Sequence, residues 1–158
     1  MLPLANKVGD AASHLFGCLD AGANTLTGLA GNDTYYAARG MGTDTLVEND
    51  STSGNIDAAL FLAGVATDHV WFRQVSNHLE ASIIGTSDKF LFQNWYSGSQ
   101  YRVEQFKTSD GNKTLLDSQV QNLVNTMAGL STTPPATTSL PTDSSYDALR
   151  SMIGTSWQ

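Results

Sequence analysis

The sequence predicts a mainly β protein: a short, degenerate parallel β-roll, then a β-rich capping domain, with one or two C-terminal helices. Three observations predict it. Near the start, glycine, an Asn or Asp, and an apolar residue recur at fixed offsets. The middle of the chain holds short apolar runs separated by turn-forming residues. Towards the end, the apolar spacing changes from that of strands to that of helices.

The repeat is clearest in Asn24-Thr25-Leu26-Thr27-Gly28 followed by Gly31-Asn32-Asp33-Thr34-Tyr35. Gly22 and Gly31, Asn24 and Asp33, and Leu26 and Tyr35 are each nine residues apart. A third unit, Gly40-Met41-Gly42-Thr43-Asp44-Thr45-Leu46, keeps the pattern but arrives two residues late. A weaker unit, Ser13 to Gly17, precedes them. Such a period is the signature of stacked turns that bury one apolar residue per unit.

From Ile56 to Leu116 the apolar runs are Ala58–Leu62, Val70–Phe72, Leu79–Ile84 and Phe90–Phe92. Breakers such as Ser76-Asn77, Gly85-Thr86-Ser87-Asp88 and Asp110-Gly111-Asn112 separate them. Leu116, Val120, Leu123, Val124 and Met127 then fall at helical spacing, with Asp117 placed to cap the start. A Ser/Thr/Pro-rich stretch follows, then a second amphipathic segment with Tyr146, Leu149 and Ile153 on one face. The expected organisation is β-roll turns over 9–50, a β-rich cap over 51–116, a helix over 117–130, a linker over 131–143 and a terminal helix over 144–158.

Composition narrows the function. The net charge of -7 argues against nucleic acid as a partner. Among the acids, Asp outnumbers Glu by 12 to 3, which favours turns and short-reach coordination of hard cations over helices. A single cysteine, Cys18, excludes an intramolecular disulfide. No apolar run is long enough to span a membrane. The segment Met1 to Lys7 lacks the basic and apolar regions of an N-terminal signal peptide.

The repeat also suggests a chemistry. Glycine-rich turns can aim backbone carbonyls inward, and an Asp carboxylate can close on a calcium ion between turns. Turns on the same side of a roll lie two units apart. That pairs the Asn24 turn with the Asp44 turn, and the Asp33 turn with the segment from Glu48 to Asp57. The expected ligands are Asp33 and Asp44, then Asn24 and Asp57, with Asp20 and Asp50 as further candidates. Gly28, Gly31, Gly40 and Gly42 would supply carbonyls or turn geometry. The units are imperfect: Leu29 stands where a second glycine belongs, and Asn24 where a carboxylate belongs. A metal-free terminal turn is the alternative.

No catalytic constellation is present in the sequence. His14, His69 and His78 lack metal-ligand spacing, and there is no Gly-x-Ser-x-Gly elbow. The chain is therefore expected not to be an enzyme. Trp71, Trp95, Tyr96 and Tyr101 leave one alternative: an extracellular β-rich module that recognises a glycan or a cell surface. Buried rings would remove its main support.

Taken together, the repeats resemble the last units of haemolysin-type calcium-binding (RTX) proteins. The run from Gly42-Thr43-Asp44 through Trp71-Phe72-Arg73, Leu79-Glu80, Ile83-Ile84-Gly85-Thr86-Ser87-Asp88 and Asn94-Trp95-Tyr96 to Val103-Glu104-Gln105-Phe106 resembles the haemolysin-type calcium-binding related domain. The resemblance implies calcium as the bound ion, bacterial secretion, and a type I secretion apparatus as partner that reads the C-terminus. It also implies a larger polypeptide upstream. The neutral tail from Ser144 to Gln158 then reads either as that secretion address or as a helix packed on the domain. On the first reading, its removal should leave the β-domain folded.

Overall fold

A computed structural model describes residues 7–8, 12–17 and 20–158. Cys18 and most of the segment Met1 to Lys7 lie outside the described residues. The chain is mainly β, in two sheets, and ends in two helices.

The first six strands are β1 (Lys7–Val8), β2 (Leu15–Gly17), β3 (Thr25–Thr27), β4 (Thr34–Ala37), β5 (Thr43–Val47) and β6 (Ala58–Phe61). They alternate between the sheets. Strands β1, β3 and β5 pair in parallel in one sheet, and β2, β4 and β6 pair in parallel in the other. Each strand is short because each contributes one or two inward side chains before the next turn. Phe16, Tyr35 and Ala59 are aligned across the second sheet, and Leu26 and Leu46 across the first; all are buried. Phe16 and Tyr35 stack with ring centroids 5.2 Å apart. The nine-residue spacing is thus the spacing of core residues.

The winding then changes character. Strands β7 (Val70–Val75) and β8 (His78–Ile83) form an antiparallel hairpin closed by Ser76 and Asn77. Ser76 takes a positive φ of 54° there. Strand β9 (Lys89–Phe92) pairs antiparallel with β8 and in parallel with β5, joining the hairpin to the earlier strands. Strand β10 (Gln105–Thr108) pairs in parallel with β6, and β11 (Lys113–Leu116) turns back on it around Gly111. Phe72, Phe90, Phe92, Trp95 and Phe106 pack here edge to face or tilted. Such ring pairs stabilise by about 0.5–1.5 kcal/mol each beyond their burial.

Helix α1 (Asp117–Leu130) lays Val120, Leu123, Val124 and Met127 against β7. It begins at Asp117, so this residue is the first of the helix and Leu116 is its cap. Helix α2 (Asp147–Ser156) packs on α1 and buries Leu149 and Ile153. The stretch between the helices lies along the domain. Arg73 donates to the Thr132 carbonyl at 3.1 Å, Arg39 to that of Thr138 at 3.3 Å, and Leu140 is buried.

The tail packs on the domain. Trp157 is buried in the same core, and Gln158 exchanges two backbone hydrogen bonds with Thr114 of β11, at 2.8 and 2.9 Å. The last residue therefore pairs with the β11 edge of the second sheet at Thr114. Trp157 and Gln158 are part of the folded domain.

Candidate metal centre

The turns that lead from the first sheet to the second stack along one edge of the molecule. They deliver His14, Asp33, Asp57 and Glu104 just ahead of β2, β4, β6 and β10. One carboxylate oxygen in each turn receives the backbone N–H of the turn before it. His14 N–H donates to Asp33 Oδ1 at 2.8 Å, Asp33 N–H to Asp57 Oδ1 at 2.8 Å, and Asp57 N–H to Glu104 Oε2 at 2.7 Å. The turns on the opposite edge behave alike. Asn24 N–H donates to Asp44 Oδ1 at 3.0 Å, and the N–H groups of Gly40 and Gly42 donate to Asp88 at 2.7 and 2.8 Å.

On Asp33 and Asp44 this stacking uses one oxygen and leaves the other. Asp33 Oδ2 and Asp44 Oδ2 are buried without a hydrogen-bond partner, as are both oxygens of Glu48 and the hydroxyl of Tyr35. A buried, unpartnered carboxylate oxygen is expensive, because it has lost water and gained nothing. Four of these five oxygens belong to one place. Asp33, Glu48 and Asp57 each present an oxygen within 4.8 Å of the others.

Gly28 makes the room. A Cβ on it would lie 2.5 Å from Asp33 Oδ2, 2.5 Å from Glu48 Oε1 and closer still to the Tyr35 hydroxyl. Three unpartnered oxygens thus converge in front of the Gly28 Cα. Thr27 is aligned with Val47 between β3 and β5. Glu48 therefore stands in its turn where Gly28 stands in the turn before. Where one turn has glycine, the next along this edge has a carboxylate that reaches back over it.

Burial pushes the Glu48 carboxyl up to about 9, with Asp57 and Asp33 adding repulsion. It also pushes Asp57 up to about 7, helped by Glu104 and Asp33. Asp33 is raised by burial and partly relieved by its bonds from His14. The donors are all oxygens, hard and anionic, which is the chemistry that calcium accepts in loose geometry. The residues fit a hard cation.

Of the residues singled out in the sequence, the structure brings Asp33, Asp57 and Gly28 together. Gly31 borders the same turn with φ +125°, donating to Asp50 at 3.4 Å. Asp50 is itself held low by hydrogen bonds from Asn55, Thr52 and Gly31. Leu29, at the position of the second glycine, takes φ +70°, a conformation unfavourable for a branched residue. Asp44, Asn24, Gly40 and Gly42 lie on the opposite edge, away from Asp33. There Asp20 holds the Asn24 amide at 2.9 Å, and Gly42 passes close to the carbonyls of Gly22 and Ala21. Sequence reasoning missed Glu48, Tyr35, Glu104 and Asp88. The signal for Glu48 was present: it follows Leu46 by two residues, as Gly28 follows Leu26.

Trp71 and Trp95 are 1% and 2% exposed, so neither ring forms a platform for a glycan. His69 and His78 have backbone partners, Ala66 N–H and Asn94 N–H. No helix among the described residues is long and apolar enough to cross a membrane.

The strands from β8 to the start of β11 complete both ladders, through Asp88 on one edge and Glu104 on the other. That segment, residues 78–113, matches the haemolysin-type calcium binding protein related domain, the family that the wider run of residues resembles.

Proposed function

We propose that this chain is a calcium-binding end module of a secreted RTX-type protein, which completes a β-roll and carries the address for type I secretion. The observation that carries the calcium part is the convergence of Asp33 Oδ2, Glu48 and Tyr35 on the space before Gly28, with no protein partner for their oxygens. The alternation of parallel strands between two sheets supports the roll. The change to antiparallel strands, and the pairing of Gln158 with Thr114 on the β11 edge, support the reading as a cap that blocks further pairing. Catalysis has no part in this reading.

Calcium acts here as a brace. Asp33, Glu48 and Asp57 come from three different points of the winding, and one ion would tie them together while cancelling their repulsion. Extracellular calcium modules bind with dissociation constants on the order of 10⁻⁴ to 10⁻³ M, so such a site fills outside the cell and not inside. The chain would then stay unbraced until export is complete. Asp44, with its own unpartnered oxygen and the nearby Asp20 and Asn24, is the second candidate ion position.

Calorimetric titration with calcium tests the site. The wild-type chain should bind in that range, Asp57→Asn should bind at least about tenfold more weakly, and Asp44→Asn should retain the main binding event. Absence of binding by the wild-type chain would remove the calcium reading. For secretion, the chain fused behind a reporter should be exported through a type I apparatus. Export of a fusion lacking residues 144–158 would place the address elsewhere.

A further inference from the structure

Resting on the calcium reading of the same site, we propose that Glu48 tunes the Asp33–Glu48–Asp57 centre to prefer trivalent hard cations over calcium. Three carboxylates here carry a formal charge of about -3 when ionised, and all three residues are buried. The charged groups that act on Glu48 are themselves carboxylates: Asp57, Asp33, Glu104 and Asp50. A divalent ion leaves one negative charge uncompensated in a volume from which water is excluded. A trivalent ion leaves none.

A second observation is independent of the acids. The Tyr35 hydroxyl is fully buried, lacks a hydrogen-bond partner, and points at the same space before Gly28. It adds a neutral oxygen donor without adding a charge. The donor set is therefore compact, all oxygen and rich in charge, which suits small, highly charged hard ions. Glu48 is the member that makes the difference. Glycine occupies its register position in the preceding turn, and glycine there would leave only two carboxylates.

The test uses terbium(III) and calcium on the full chain. In wild-type protein, terbium should displace calcium at about a hundredth of the calcium concentration or less, read by terbium luminescence. In Glu48→Gln, which keeps the shape and removes one charge, that advantage should shrink at least about tenfold. Asp57→Asn serves as the second variant and should narrow it similarly, and circular dichroism checks that both are folded. If calcium binds but terbium competes no better than calcium, or if both folded variants keep the wild-type ratio, the preference is overturned. If neither ion binds the wild-type chain, the calcium reading fails along with it.

Discussion

The Asp33 N–H donates to the Asp57 carboxylate at 2.8 Å, so a member of the buried acidic cluster also fixes the turn before it. The same device appears between His14 and Asp33, and between Asp57 and Glu104. On Asp33 the device leaves the second oxygen without a partner. Its cost is a set of negative charges brought together inside the protein.

That double role predicts opposite effects from one substitution. Asp57→Asn keeps an oxygen acceptor for Asp33 N–H and removes a charge from the cluster. In chelator, the variant should be more stable than wild type by about 1 kcal/mol, through relief of repulsion among buried carboxylates. In calcium, it should be the less stable of the two. Urea unfolding under both conditions reads the crossing; a variant that is less stable in both would show that Asp57 acts only as a hydrogen-bond acceptor.

Gly28 is required for space. Ala at this position would press its methyl group on Asp33 Oδ2, Glu48 Oε1 and the Tyr35 hydroxyl. Gly28→Ala should cost about 1–3 kcal/mol from overpacking and should abolish calcium binding. Gly40→Ala is the control, since a Cβ there meets nothing within 4 Å and the cost comes only from its φ of +87°. Calcium-dependent melting curves of the two variants separate these effects.

The acidity of the site sets a pH dependence. Glu48 is raised from 4.5 to about 9 and Asp57 from 3.8 to about 7. Between these limits the unfolded chain has released protons that the ion-free native state still holds. The ion-free protein should therefore lose stability as pH rises from about 4 to 9. Calcium competes with those protons, so the stabilisation it gives should grow over the same interval. Melting temperatures from pH 5 to 9, in chelator and in calcium, should diverge as pH rises.

The C-terminus makes a structural prediction. Trp157 is 3% exposed, and Gln158 pairs with Thr114 in both directions. Trp157→Ala should destabilise the whole domain by about 3–5 kcal/mol, the usual range for a buried aromatic. Hydrogen exchange should show the loss at β11 and α1 first. A local loss confined to α2 would indicate that the tail is an appendage.

Much of this architecture was legible because the repeat fixes the core. Leu26, Tyr35 and Leu46 face inward at the spacing read from the sequence, and the pairing of Asp33 with Asp57 follows from turns lying two units apart. The helices were legible from Val120, Leu123, Val124 and Met127. Less visible was anything that depends on a side chain reaching across the winding. Glu48 breaks the glycine pattern, so it reads as a lost turn residue although its carboxylate completes the cluster. Tyr35 reads as an apolar core position, yet its hydroxyl is the part that matters at the site. Asp88 and Glu104 act through backbone N–H groups more than forty residues earlier in the chain, a relationship that no local pattern encodes.

The most direct test is the melting temperature of the chain at neutral pH in chelator and in about 10 mM calcium, a concentration on the order of a hundred times a 10⁻⁴ M dissociation constant. Calcium at that excess should stabilise the native state by about 2.7 kcal/mol, or roughly 5–10 °C for a domain of this size. The variant carrying Asp33→Asn, Glu48→Gln and Asp57→Asn should show no such increase. Equal melting temperatures for the wild-type chain in chelator and in calcium would contradict the account.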